Sequence, residues 1–148
     1  MTETTTVRRS RAEDAPALAG IALSIITAYN LPHDGDLLRY GRRRPELIAE
    51  LVAVIDGAPV GTISLSLHPH DRNAGWVSKF FVDPLARGSG VGRALHDELL
   101  REAHRAGLEW LELATLRVFR EAIALYESRG WKLRKGTRDP RYVLRLEA

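Results

Sequence analysis

Cysteine is absent from the 148 residues. That removes disulfides, thiolate metal sites and a cysteine nucleophile together. Long apolar runs are absent as well: no stretch approaches the roughly 18 residues of a membrane-spanning helix. Residues 1–10 are threonine-rich and hold no apolar segment, so no secretory leader is expected. A cytoplasmic protein is the simple expectation. Aromatic residues are scarce at 7%, and the arginine-rich segment 39–44 holds only Tyr40, too few for a stacking platform, so nucleic acid is not the expected partner. Internal repeats, low-complexity tracts and long linkers are also missing.

What remains is ordinary globular composition, 45% hydrophobic and 28% charged. The length predicts one domain over residues 1–148 with a core that needs no staples. The formal charge of +3 comes mostly from arginine, a mild bias towards polyanionic ligands.

Periodicity predicts a short strand around Val7. A helix follows, with Asp14 as cap and Pro16 in its first turn, carrying Leu18, Ile21, Ala22 and Ile25 on one face. It should end before Asn30-Leu31-Pro32. Residues 45–50 read as a short helix. Residues 51–55 and 60–67 read as a hairpin turning at Asp56-Gly57, ended by His68-Pro69-His70-Asp71. Residues 76–82 form a strand stopped by Asp83-Pro84. A glycine-rich loop then opens a helix with Val91, Ala94, Leu95, Leu99 and Ala103 on one face. A strand over 110–116, a helical stripe of Phe119, Ala122, Ile123 and Tyr126, and strands at 131–135 and 142–146 complete the chain. The strand-helix-strand unit over 76–116 requires a parallel pair with a right-handed crossover. The fold class is therefore α/β (α+β): a mixed, mostly antiparallel sheet with a central parallel pair and helices on its faces.

The loop Arg87-Gly88-Ser89-Gly90-Val91-Gly92 carries the sharpest chemistry. A P-loop needs Lys then Ser or Thr after its last glycine, and Arg93-Ala94 stands there. A dinucleotide fingerprint needs glycine where Arg93 lies, with an acidic residue ending the next strand. Neither is satisfied. Alternating glycines at a helix start still suit an anion: the first-turn N–H groups are unpaired and lie at the positive end of the helix dipole. Arg87 and Arg93 add charge, so a pyrophosphate is the natural guest.

The run from Phe80-Phe81-Val82-Asp83-Pro84 through that loop to Leu95 resembles the acyl-CoA motif of the GNAT superfamily of N-acetyltransferases. Residues 122–131, with Tyr126 ahead of Gly130-Trp131, are similar to the family's second motif. The resemblance implies acetyl-CoA as cofactor and direct transfer of an acetyl group to a primary amine on a small molecule or peptide. It implies that the central strands splay and that the pantetheine arm lies between them. The backbone near Phe80, Phe81 and Val82 would pair with the arm, and Arg87, Gly88, Ser89, Gly90, Val91, Gly92 and Arg93 would hold the pyrophosphate. Phe119 stands where the family often has asparagine, and is expected to pack on the arm or plug the gap. Trp76 and Ser78 occupy the strand positions where members often carry a base.

Two residues are the catalytic candidates. Tyr126 shares the face of Ile123; the resemblance places such a tyrosine beside the cofactor sulfur, where it would protonate the leaving thiolate, since a phenol with pKa of about 10 stays protonated at neutral pH. Glu112, mid-strand between Leu111 and Leu113, would act as base through water. His68, His70 and Asp71 suit a solvated loop better than a metal, which would need a third defined ligand; no metal is expected. Arg39, Arg42, Arg43 and Arg44, with His33, Asp34 and Asp36, fall on the expected acceptor side. The alternative reading is an acyl-CoA-binding or regulatory domain without efficient chemistry. Edge strands in such folds often pair, which leaves a homodimer open.

Overall fold

The computed structural model describes residues 4–33, 35–41, 44–136 and 138–147. Ten elements follow in order: β1 (Thr5–Arg9), α1 (Ala15–Ala28), β2 (Leu47–Ile55), β3 (Ala58–His68), β4 (Asp71–Val82), α2 (Val91–Arg105), β5 (Trp110–Ala114), α3 (Arg120–Ser128), β6 (Lys132–Leu133) and β7 (Arg141–Arg145). They build one seven-stranded sheet in the order β1-β2-β3-β4-β5-β7-β6. β4 and β5 are parallel and every other pair is antiparallel. This is the mixed sheet that the strand-helix-strand unit requires.

Both sheet faces are covered, so the central strands β2 and β3 are buried in continuous runs, with successive residues facing opposite cores. Leu51, Ile63, Leu65, Leu111 and Leu113 face a core closed by Leu95 and Leu99 of α2 and Tyr126 of α3. Val52 and Phe81 face the opposite core, closed by Leu18, Ile21, Ala22 and Ile25 of α1 with Tyr40. The stripe read from α1 is thus its buried face, and Asn30 ends the helix in a left-handed conformation at φ 52°. At the first hairpin, Asp56 and Gly57 both have positive φ, 50° and 79°, the turn that matches strand twist.

Two expectations are corrected here. The segment read as a helix over 45–50 is a turn into β2, which starts at Leu47 and pairs with β3 from Leu47↔Ser66. Its local pattern suits either element, and pairing with β3 decides. The second difference is at His68. Pro69-His70 forms another tight connection, and β4 starts at Asp71, five residues ahead of the expected strand. β5 and β6 are shorter than expected, β5 ending at Ala114, and β7 keeps the expected length but starts one residue earlier.

Candidate functional site

β4 and β5 stay in register only from Ala74↔Trp110 to Val77↔Leu113. Beyond Val77 the two strands part. The opening leads into a cleft of about 1080 Å³ lined by Phe80, Phe81, Val82, Leu113, Thr115 and Tyr126 among others, with the Arg87–Arg93 loop at one end. Ser89 alone of that loop does not face it.

A bulge marks where the parting starts. Ser64 pairs with Ser78 and Thr62 with Phe81, so Ile63 alone stands opposite Lys79 and Phe80. Lys79 takes the left-handed region at φ 55°, a strained conformation for a side-chain-bearing residue. Its ammonium holds the backbone there: Nζ donates to the Arg39 carbonyl at 2.6 Å and lies 4.9 Å from the centre of the Tyr40 ring. Burial pushes the Lys79 pKa down. Reading residues 76–82 as a plain strand missed Lys79; a charge inside an apolar strand was the available signal.

At the glycine loop, Asp83 Oδ1 accepts from the Leu85 amide at 3.0 Å, and the Ser89 hydroxyl donates to the Ala86 carbonyl. Gly88 and Gly90 take φ of 85° and 82°, which only glycine adopts without strain. Gly90 is the N-cap of α2 and brings no capping side chain. The amides of Val91, Gly92 and Arg93 lie in the unpaired first turn. Gly92 serves a different need: a Cβ there would stand 3.2 Å from Phe80 Cζ, so its absence lets α2 settle on the β4 ring. Arg87 Nε is 4.0 Å from Glu121 of α3, both exposed.

Tyr126 sits deeper. It is 4% exposed within a cage of rings, Phe80 at 5.9 Å, Trp131 at 5.4 Å, Tyr142 at 6.3 Å and His96 at 6.5 Å between centroids. It also lines the cleft. Burial pushes its phenol pKa up, so the hydroxyl keeps its proton at any ordinary pH. The cage is locked by His96. Trp131 Nε1–H donates to His96 Nε2 at 2.9 Å, which places the ring proton on Nδ1, 3.1 Å from Asp97 Oδ1. Burial lowers the His96 pKa against the raising effect of Asp97.

Phe119 is the N-cap of α3 rather than part of its interior. Its ring meets Tyr29 edge to face at 5.3 Å, so it ties the start of α3 to the end of α1 across the cleft. The Phe81 ring is buried in the core under α1, and only its margin borders the cleft.

Glu112 lies elsewhere. It is 1% exposed on the closed half of the β4–β5 pair and is not among the residues lining the cleft. Oε1 accepts from His68 Nε2 at 2.8 Å, and Oε2 takes Arg134 at 2.9 Å and Arg141 at 3.5 Å. The amide of His70 donates to His68 Nδ1, which leaves the proton on Nε2 facing Glu112. Burial raises the Glu112 pKa, but the bonds from His68 and Arg134 outweigh it and hold the carboxyl below its ordinary value. The residue expected to act as a base through water therefore stands as an ion-pair node away from the cleft lining. Among the described residues, no cluster of His, Asp and Glu is arranged to hold a metal ion. Arg44 meets Asp36 at 3.5 Å and Glu46 at 3.7 Å; Arg42, Arg43 and Asp34 lie outside the described residues. No helix among the described residues is long and apolar enough to cross a membrane.

Comparison with known proteins agrees with this geometry. Residues 17–131 match the model of the Acetyltransferase (GNAT) family. A protein named IAA acetyltransferase from Azospirillum brasilense is 37% identical over 81 residues, 55% of this chain and 52% of that protein. The match thus spans about half the length of that curated relative. An acetyltransferase of GNAT family from Staphylococcus aureus Mu50 superposes with a TM-score of 0.84 at 19% identity, covering 97% of this chain and 100% of that one. The PaiA N-acetyltransferase from Thermoplasma acidophilum, solved in complex with coenzyme A, gives 0.78 at 16% identity, covering 96% and 99%.

Proposed function

The chain belongs to the GNAT acetyltransferase family, and from that premise we propose that it moves an acetyl group from acetyl-CoA to a primary amine within a ternary complex, as one domain. One observation carries the reading. The β4–β5 ladder stops at Val77↔Leu113, and the cleft it leaves joins the unpaired amides of α2 to the phenol of Tyr126.

The residues present fit the cofactor. The amides of residues 88–93, with Arg87 and Arg93, offer donors and positive charge to a diphosphate. Beyond Val77, β4 has no β5 partner, so its backbone is open to an extended chain such as the pantetheine arm. When bound there, acetyl-CoA supplies an activated acetyl thioester.

The protein's own groups then have separate tasks. Phe80, held against Gly92 and Tyr126, shapes the apolar floor and excludes water. Burial keeps Tyr126 Oη protonated while the cleft is at rest; this hydroxyl would donate its proton to the sulfur as it leaves and regain one from the newly acylated nitrogen. Trp76 and Ser78 offer no base, and among the described residues the carboxylates on the cleft, Glu121 and Asp139, are both exposed. The acceptor therefore enters as its free amine from solution.

The test is an acetylation assay across an amine panel, with calorimetric titration of acetyl-CoA alongside. Acetyl-CoA binding with turnover of at least one amine is the expected result. Binding without turnover of any amine would identify a non-catalytic acyl-CoA-binding domain instead.

A further inference from the structure

The cleft is longer than the stretch between the glycine loop and Tyr126. Past the bulge it is walled by Ile26, Tyr29, Leu31, Leu37, Trp76 and Phe119. Five of these lie on α1 or the segment after it, or on the loop before α3, and Trp76 rises from β4. Trp76 is fixed from outside the cleft. The Arg141 guanidinium lies 5.7 Å from the Trp76 ring centre and is itself anchored on Glu112.

The charges at this end are lopsided. Lys79 lines the cleft and is 6% exposed. Among the described residues no carboxylate lies within ion-pair distance of it. Asp36 and Glu50 partly offset its charge, but neither lines the cleft; Glu50 accepts from the Ser10 hydroxyl at 2.6 Å and the Gly41 amide at 2.9 Å. Asp36 lies near Arg44. Of the two carboxylates on the cleft wall, Glu121 stands beside Arg87 at the glycine-loop end. Among the described residues that leaves exposed Asp139 as the only other carboxylate of the cleft lining. A second ammonium carried into this end would be desolvated against apolar walls and repelled by a fixed, buried cation.

We propose that the acceptor of this enzyme is a small amine with an apolar, ring-sized body and no second positive charge, seated between Trp76 and the Tyr29–Leu37 wall. This rests on the acetyltransferase reading and names the substrate class for the same cleft. The apolar body is drawn out of water by the wall. The buried charge of Lys79 disfavours a protonated amine at the cleft, which matches an enzyme whose acceptor must arrive neutral.

The experiment measures binding and turnover separately on the full chain loaded with coenzyme A. Calorimetry with phenethylamine and with spermidine should show phenethylamine tighter by about tenfold or more. Spermidine binding equally or more tightly overturns the proposal. Trp76→Ala should weaken phenethylamine by about tenfold while leaving coenzyme A affinity in place; unchanged phenethylamine binding overturns it. If that variant does not fold, Leu37→Asp replaces it. The added carboxylate should narrow or reverse the preference over spermidine, and an unmoved preference counts against the wall. Acetylation rates with acetyl-CoA separate the two readings. Phenethylamine bound but no amine acetylated leaves the pocket chemistry standing and sinks the transferase. Spermidine acetylated in preference does the reverse.

Discussion

The parallel pair β4–β5 is two structures in one. Over residues 74–77 and 110–113 it is a closed ladder, and its α1-side face is sealed by Glu112 with His68, Arg134 and Arg141. Beyond Val77 it is an open gap floored by Phe80 and Tyr126. The closed half spends ionisable groups on one another; every charge there has a partner, and the carboxylate is held ionised. The open half leaves its donors unspent, in the α2 amides and the Tyr126 hydroxyl. The contrast teaches that a charged residue in mid-strand can serve the fold as readily as a site. What counts is whether its bonds are already taken.

Breaking the open half should cost most. Tyr126→Phe removes one oxygen and keeps the ring cage. Loss of a positioned proton donor predicts a fall in kcat of about 10²–10⁴-fold with acetyl-CoA affinity nearly unchanged. Near-normal turnover would falsify the assignment and make Tyr126 a packing residue. Next is Gly90→Asp, which places a carboxylate and a Cβ at φ 82°. Strain at that position together with like-charge repulsion predicts acetyl-CoA affinity lower by about 10–100-fold. Equal affinity in calorimetry on folded protein would show that the loop does not hold the diphosphate.

The closed half should respond in stability rather than in chemistry. Glu112→Ala strips His68 and two arginines of their shared acceptor and predicts a loss of about 1–3 kcal/mol. Its signature is a lower melting temperature with kcat on a saturating acceptor held within a few-fold. A collapse of kcat at full stability would return Glu112 to the chemistry.

The smallest effect is acid sensitivity around the Tyr126 cage. His96 is buried neutral with a lowered pKa. The unfolded chain therefore takes up a proton that the folded chain refuses. Stability from this site is intact above the imidazole's ordinary value of about 6.5 and is lost as pH falls below it. The lowered carboxyls of Asp14, Asp97 and Glu112 act only further down, below their ordinary range of about 4. Melting temperatures between pH 7 and pH 5 should therefore fall less in His96→Gln, whose amide can still accept from Trp131. Parallel curves for the two proteins would remove His96 as the cause.

Much of this was legible in the chain. The glycine loop, the α2 stripe and the Asp56-Gly57 turn are local patterns, because a helix start or a tight turn is decided by the residues that compose it. The parallel pair followed from the strand-helix-strand order. Residues 45–50 were misread because the pattern there fits two elements and strand pairing selects one. Lys79 went unnoticed because a bulge is a property of two strands, not of one.

The chain alone, then, determined the kind of molecule: a mixed sheet with a glycine-rich helix start and a tyrosine-bearing helix behind it. Those features are encoded within short windows, where backbone conformation and side-chain periodicity answer to nearest neighbours. Tertiary structure decided which charges are spent and which are free. Glu112 is occupied by arginines 22 and 29 residues away, and Lys79 is held by a carbonyl 40 residues away. Such partners meet only when the sheet assembles, so no window of sequence contains the pair.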